Sequence, residues 1–364
     1  MFFLVINRTK LANNWINLQP VLLRHCIYMN KKISKILKYL LSALLAAVLL
    51  YFSFREVEWA DFAEGLKGCR WEYIALSMLA GAFAFWLRAL RWRRLLLPID
   101  DSITRVTTFN GINVGNISNF VFPRIGEFVR CGVITRRSMP EDPQKPEYKK
   151  ASYDKVLGTV VLERSWELLV MLLLLAVVVV GGFERFGGFF VEQIWIPMTG
   201  RLDFSIWWVV AVTVLAVAGC GYSFWRFKDS NRFCSKVWGI FRGILQGFAS
   251  CMKMEHKWLF FAYTALIWAT YWFMAASTVW AAPFLKELTV IDALFLSLVG
   301  GLGFAVPVPG GIGAFQFIIS LALAGLYDIP MQMGIIYATL SHTSQAITQI
   351  IFGVGSYAYE ALKK

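Results

Sequence analysis

The sequence is poor in charge and lacks the short motifs that mark the common enzyme classes. Only 16% of its 364 residues are charged and 58% are hydrophobic, which leaves no room for a sizeable soluble domain. It contains no nucleophile elbow, no H-E-x-x-H zinc motif and no D-x-D pair. The chain is therefore predicted not to be an enzyme and to carry no cofactor.

Cysteine spacing gives no indication of a metal site. The six cysteines form no C-x-x-C pair and no other ligand spacing. They are interpreted as ordinary small apolar residues.

Long apolar runs take the place of these motifs. Several are about twenty residues long, the length that crosses a hydrocarbon core. The chain is therefore predicted to be an all-α polytopic membrane protein. Its net charge of +13 lies mostly in loops beside the apolar runs, so it indicates orientation and contact with anionic headgroups rather than nucleic-acid binding.

Six spanning helices are predicted, at about 36–54, 71–87, 156–180, 206–224, 258–281 and 331–357. Residues 1–35 form an N-terminal cytoplasmic segment, with Met29 as a candidate true start. No cleavable signal peptide is expected, because the first apolar segment is long enough to remain as a span. Four arginines within seven residues, from Arg88 to Arg94, mark a cytoplasmic boundary after the second span. Predicted inner segments hold 29 Lys and Arg and outer segments hold six, so both termini are placed in the cytoplasm.

One apolar segment, residues 290–327, is interrupted in its middle. Gly300 to Gln316 reads GGLGFAVPVPGGIGAFQ, with six glycines and two prolines in seventeen residues. Proline and glycine disfavour a continuous helix, and broken backbone at membrane depth is tolerated only inside protein or beside a polar cavity. The segment is predicted to be a re-entrant hairpin whose backbone contacts a substrate. A kinked structural helix is the alternative.

A second interruption lies at residues 103–133, where Pro123-Arg-Ile-Gly-Glu127 separates pieces too short and too polar to span. The chain then divides into two half-repeats, 36–182 and 206–360, joined by an outer loop at 183–205. Each half has two spans, a broken segment and a further span, in opposite orientations. In secondary transporters such an inverted repeat places the substrate site near the midplane.

Charged residues near the breaks are candidates for the site. Glu163, Arg164 and Glu167 lie within the third span, and Arg124, Glu127 and Arg130 flank the first break. Ionisable groups in a span need partners or water. They could pair with one another to lock helices together, or Arg124 could bind a phosphate with its planar guanidinium.

The second break and the last span supply polar candidates. Free N–H groups at Gly310–Gly313 would form an anion site at the start of a helix. His342 and Gln345 lie on one face of the last span and are expected to line a cavity, although a buried histidine is more often a packing residue. The predicted substrate-binding residues are Arg124, Glu127, Arg130, Glu163, Arg164, Glu167, Pro309, Gly310, Gly311, Gly313, Gln316, His342 and Gln345.

Four motifs in order resemble one known family. Arg88-x-x-Arg91-Trp92, Pro123-Arg-Ile-Gly-Glu127, Glu163-Arg164 and Pro309-Gly-Gly-Ile-Gly313 are similar to the lysylphosphatidylglycerol synthase transmembrane-region, or flippase-like, family. The resemblance implies a lipid-handling membrane domain, here without the soluble lysyl-transferase domain. Gln316 stands where the family often has Glu, and His342 stands near where it often has Arg, which suggests a different headgroup or a structural pair replaced together.

The resulting hypothesis is a lipid translocase of a bacterial-type inner membrane, with membrane lipids bearing an anionic or lipid-linked headgroup as its ligands. A lipid-modifying enzyme is a candidate protein partner, and nucleic acid is not expected. Two alternatives are an integral-membrane enzyme acting on lipid-linked sugars through an outer carboxylate such as Asp61, and a non-transporting scaffold.

Overall fold

A computed structural model describes residues 39–55, 57–138, 151–182 and 255–363, with four isolated residues between 215 and 226. These ranges contain α-helices, short 3-10 turns and no strand. The helices are α1 (Tyr39–Phe54), α2 (Trp59–Lys67), α3 (Trp71–Leu96), α4 (Arg105–Val121), α5 (Gly126–Arg137), α6 (Tyr153–Gly181), α7 (Lys257–Ala281), α8 (Val290–Gly303), α9 (Ala314–Tyr327) and α10 (Met331–Leu362). The prediction of an all-helical membrane protein is confirmed at this level.

Four described stretches are long and apolar enough to cross a membrane: Trp71–Leu96, Tyr153–Gly181, Lys257–Ala281 and Pro309–Tyr327. The first three correspond to the predicted second, third and fifth spans. The predicted first span corresponds to α1, which qualifies only when joined to α2 across an 84° bend. The predicted fourth span lies outside the described residues.

Helix α3 differs from its prediction. The sequence interpretation ended the second span at Leu87 and placed the arginines that follow at a cytoplasmic boundary. In the structure α3 continues to Leu96, and both Arg88 and Arg91 are buried. The difference has a simple cause at Arg91, because neighbouring helices supply the two carboxylates and the aromatic ring that it meets inside the protein.

The central packing of the molecule joins α3 to α7. The backbone N–H of Arg70 donates to the carbonyl of Ala281 at 2.8 Å, and the Ser77 hydroxyl donates to the carbonyl of Met274 at 3.2 Å. Residue numbers rise on one helix as they fall on the other, so the two helices are antiparallel. Buried apolar residues of these helices belong to two hydrophobic clusters of the protein core.

Helices α4 and α5 form an antiparallel hairpin, termed hairpin 1. Gly115 and Gly126 face each other so closely that a β-carbon on Gly126 would lie 2.0 Å from the Gly115 carbonyl oxygen. Asp100, before α4, accepts a short hydrogen bond from the hydroxyl of Ser138, after α5. The base of hairpin 1 is therefore closed, and its tip is the break at 122–125.

Helices α8 and α9 form a second antiparallel hairpin, termed hairpin 2. A β-carbon on Gly303 would lie 3.0 Å from the Phe315 Cα, which shows how closely the two helices approach near the tip. At the base, the Tyr327 hydroxyl donates to Asp292 at 2.8 Å, and Asp292 also caps α8 together with Thr289. Both hairpins thus have a polar contact at the base and a helix break at the tip.

The two hairpins lie end to end along α10. This helix has 32 residues and is about 48 Å long at 1.5 Å per residue. From its start to its end, Gly334 contacts Ser320 of hairpin 2, His342 contacts Gly310 at the tip, and Gly353 contacts Ile117 of hairpin 1. Glu360 then reaches the base of hairpin 1, where it accepts hydrogen bonds from Asn110 and Arg137. The bases of the hairpins are therefore at opposite ends of α10.

We expect Gly126→Ala to prevent hairpin 1 from closing, because the new methyl group would overlap a backbone carbonyl that cannot rotate away. The free energy of unfolding should fall by at least about 1–3 kcal/mol, the usual cost of overpacking. Thermal unfolding of the purified protein in detergent measures this loss.

Gly132→Ala is the matched control on the same helix, since nothing lies within 4 Å of its β-carbon position. It should leave stability unchanged or raise it by about 0.5–1 kcal/mol. Equal stability of the two variants would contradict the close approach of α4 and α5.

Candidate functional site

The tips of the two hairpins meet. Arg124, in the break of hairpin 1, donates from Nη2 to the carbonyl oxygen of Ala305 in hairpin 2 at 2.9 Å. The ring of Phe120 lies against Gly310, where an added β-carbon would come within 2.7 Å of it. Arg124 has a φ of 61°, a left-handed conformation that is uncommon for a residue other than glycine. The two breaks predicted from sequence are therefore neighbours in space.

The glycine turn of hairpin 2 requires its glycines. Gly310, Gly311 and Gly313 have φ values of 59°, 78° and 82°, which L side chains rarely adopt. A β-carbon on Gly311 would also lie 2.6 Å from the ring of Phe304. Pro309 begins the 3-10 turn, so proline and glycine together end one helix and redirect the chain.

Most N–H groups of this turn are already used. Gly311 donates to Val308 at 3.3 Å and Ile312 donates to Pro309 at 3.1 Å. Gly313 donates to the side-chain oxygen of Gln316 at 2.8 Å, so Gln316 caps the start of α9. The sequence prediction of free N–H groups at Gly310–Gly313 therefore does not hold for these three donors.

His342 and Gln345 contact different neighbours. The Nε2 atom of His342 lies 2.9 Å from the Gly310 carbonyl oxygen, and its ring packs against Phe304 and Phe315. Gln345 instead donates to the Ser77 carbonyl and hydroxyl on α3, each at 3.1 Å. The structure therefore brings His342, but not Gln345, to the glycine turn.

The charged candidates form a closed ring on α3, α5 and α6, termed the charge ring. It consists of Arg91, Glu163, Arg130, Glu127, Arg164 and Glu167, in that order around the ring. Successive members are separated by 3.3, 2.7, 3.6, 2.9 and 2.6 Å, and Glu167 closes the ring to Arg91 at 2.5 Å. Each carboxylate thus meets two guanidinium groups.

One side of the charge ring is buried and the other is reachable. The side chains of Arg91 and Glu163 are fully inaccessible, whereas that of Arg164 is 38% exposed. On the buried side, Arg130 stacks 4.5 Å above the ring of Trp92, whose indole N–H donates to Thr159 at 2.9 Å. The charge ring therefore joins three helices and presents an accessible edge at Arg164.

Arg91 is the ring member that the sequence interpretation missed as a site residue. It was assigned to a cytoplasmic boundary together with its neighbours. The available signal was its spacing: an arginine one helical turn after Arg88 and next to Trp92 in an otherwise apolar helix indicates an inward-facing pair.

Arg124 is not a member of the ring, although it follows the same three-residue spacing as Glu127 and Arg130. It is exposed and its hydrogen-bond partner is a carbonyl group, so pairing with a carboxylate does not explain its position. Within the described part of the chain, no group of three or more His, Cys, Asp or Glu side chains is placed to hold a metal ion.

A family model for the lysylphosphatidylglycerol synthase TM region matches residues 37–353, nearly the whole chain. The chain belongs to this family. No curated protein and no solved structure matches it. The resemblance inferred from the four sequence motifs is thereby confirmed.

Membership of the lysylphosphatidylglycerol synthase TM-region family indicates an integral membrane protein with a lipid-related function. The apolar helices agree with a multi-pass protein. Three of the four motifs supply four of the six members of the charge ring, and the fourth forms the glycine turn. In this member, Gln316 is a neutral side chain that caps the start of α9, and His342 contacts the carbonyl oxygen of Gly310 in the turn.

We expect Glu163→Gln to destabilise the protein, because it removes the fully buried carboxylate between Arg91 and Arg130 and leaves each with only one, partly exposed, partner. The loss should be about 3–5 kcal/mol, the typical cost of removing one partner of a buried pair. Chemical denaturation in detergent, followed by tryptophan fluorescence, measures it.

Glu64→Gln removes the same charge from an exposed position on α2 and should change stability by less than about 0.5 kcal/mol. A Glu163→Gln protein as stable as the Glu64→Gln control would show that the charge ring does not hold the helices together.

Proposed function

We propose that the protein is a lipid translocase, which moves a lipid with a polar headgroup between leaflets along the contact between the two hairpin tips. The observation that carries this proposal is the meeting of two helix breaks through Arg124 and Ala305, with the second break held against His342 of α10. Family membership supports a lipid as the substrate. The protein would act without catalysing a covalent reaction.

Helix lengths support hairpins that enter the membrane and return to the same side. At 1.5 Å per residue, α5 is about 18 Å long, α4 about 25 Å, and α8 and α9 about 21 Å each. All four are shorter than the hydrocarbon core of about 30 Å. Residues 309–327 reach spanning length only when the 3-10 turn at the tip is included.

Packing supports an inverted repeat as the basis of the site. Helices α3 and α7, the second predicted span of each half, pack together. Hairpin 1 packs on α10, the last helix of the second half, and hairpin 2 packs on α6, the last helix of the first half. In transporters, helix breaks at matching positions of such halves supply the substrate site.

The polar groups at the tips fit a headgroup better than an acyl chain. The accessible edge of Arg164 and the exposed Arg124 are cationic, and His342 adds a ring nitrogen beside the glycine turn. The acyl chains would remain in the bilayer. Because the sequence has no P-loop, transport would be facilitated, ion-coupled or driven by lipid synthesis on one side. The proposed location is a bacterial-type inner membrane, with both termini in the cytoplasm.

Reconstitution in liposomes tests the proposal. Headgroup-labelled phospholipids are included, and a membrane-impermeant quencher reports the fraction that reaches the outer leaflet. We expect the protein to raise the quenched fraction above the value of about one half for protein-free vesicles. Arg124→Gln should slow this exchange about tenfold without loss of folded protein, because it removes a charge-assisted contact between the tips, worth about 1.5 kcal/mol or more.

Arg136→Gln is the control, because Arg136 is an exposed arginine near the other end of α5. It should exchange lipid as the wild type does. If folded wild-type protein exchanges no anionic, zwitterionic or lipid-linked substrate faster than empty vesicles, the translocase proposal fails. Loss of a lipid-modifying activity on changing Asp61 would favour the enzyme alternative.

A further inference from the structure

A fourth arginine, Arg88, lies beside the charge ring without a carboxylate of its own. It is on α3, one turn before Arg91, and is only 9% exposed. Within the described part of the chain it makes no hydrogen bond or ion pair, and its Nε atom is buried without an acceptor. Only Nε is fully buried, so the two terminal nitrogens remain reachable.

None of the carboxylates of the charge ring forms an ion pair with Arg88. Glu127, Glu163 and Glu167 each already meet two guanidinium groups of the ring. Four arginines therefore surround three glutamates, which leaves one positive charge in excess. An uncompensated charge away from water is costly, so the arrangement favours an anion as a further component.

The neighbours of Arg88 supply further donors. Arg88 and Tyr271 both lie in the contact between α3 and α7, between the Ser77–Met274 hydrogen bond and the Arg91–Phe260 contact, and Arg164 shares Glu167 with Arg91. The Tyr271 hydroxyl makes no hydrogen bond with another described residue. A planar guanidinium with a neighbouring hydroxyl and a second, partly exposed guanidinium matches the acceptor oxygens of a phosphate group.

We propose that Arg88, Tyr271 and the accessible edge of Arg164 form a binding site for a phosphate group. A lipid phosphodiester and free inorganic phosphate share this chemistry. In its lipid form the proposal rests on the proposed function, since it names the part of the substrate that the protein holds. Arg88 would supply the charge that the closed ring cannot, because the arginines of the ring are already paired.

Binding to the purified full-length protein, delipidated in detergent, tests the site without any measurement of transport. The probes are dihexanoyl phosphatidylglycerol, dihexanoyl phosphatidylcholine, dihexanoylglycerol and inorganic phosphate, titrated calorimetrically. We expect the phosphate-containing lipids to bind and dihexanoylglycerol not to bind. Arg88→Gln should weaken binding about 10- to 100-fold, the range for losing a hydrogen bond to a charged group. The control Arg136→Gln should bind as the wild type does.

Stability gives a second readout. Without bound lipid, Arg88→Gln should be at least as stable as the wild type, because it removes an uncompensated buried charge. Inorganic phosphate binding that depends on Arg88, without lipid binding, would support the site with free phosphate as its occupant. Equal binding by wild type and Arg88→Gln, no binding of any phosphate probe, or a clear stability loss in lipid-free Arg88→Gln would overturn the proposal. If binding depends on Arg88 but the protein moves no lipid, the proposed translocation is refuted and the phosphate site is not.

Discussion

The closed alternation of three glutamates and three arginines is the interaction on which the first half of the molecule depends. Ionisable side chains within spanning helices are rare and almost always pair with one another or with backbone carbonyl groups. Because each member of the ring meets two residues of opposite charge, removing one member halves the ion pairing of both its neighbours. The charge ring therefore fixes α3, α5 and α6 relative to one another, and it holds the tip of hairpin 1 beside the tip of hairpin 2 through Glu127, one turn after Arg124.

The hydrogen-bonding needs of the backbone at the two helix breaks impose a second constraint. A broken helix away from water must find partners for its free N–H and carbonyl groups. At the first break Asn119 accepts from Gly126 at 2.7 Å, and at the second Gln316 accepts from Gly313 at 2.8 Å. Arg124 and His342 contact carbonyl oxygens of the second break. Both tips thus obtain local caps and cross-tip contacts, which allows two short hairpins to lie end to end along one long helix.

The parts of this arrangement that depend on local sequence could be predicted, whereas the contacts between side chains on different helices could not. Proline and glycine located both breaks, since their backbone chemistry acts within a few residues. The cap at Gln316 was not predicted, because Gly313 has no side chain and the segment therefore lacks the Ser or Thr that marks a capping box. The partners of Arg91, and the direction in which Gln345 points, depend on how α3 packs against α6, α7 and α10. Such contacts join residues more than sixty positions apart and have no periodic signature.

The central claim is that the hairpins approach from opposite sides of the membrane and meet at their tips. The bases of the two hairpins can be marked by single cysteines in a background without the six native cysteines. The exposed positions to replace are Asp101, Arg136, Glu287 and Pro330. Labelling with an impermeant maleimide in vesicles of known orientation is the most direct measurement. The account predicts that positions 101 and 136 react from one side, and positions 287 and 330 from the other. Labelling of 101 and 136 from opposite sides, or of all four from the same side, would contradict it.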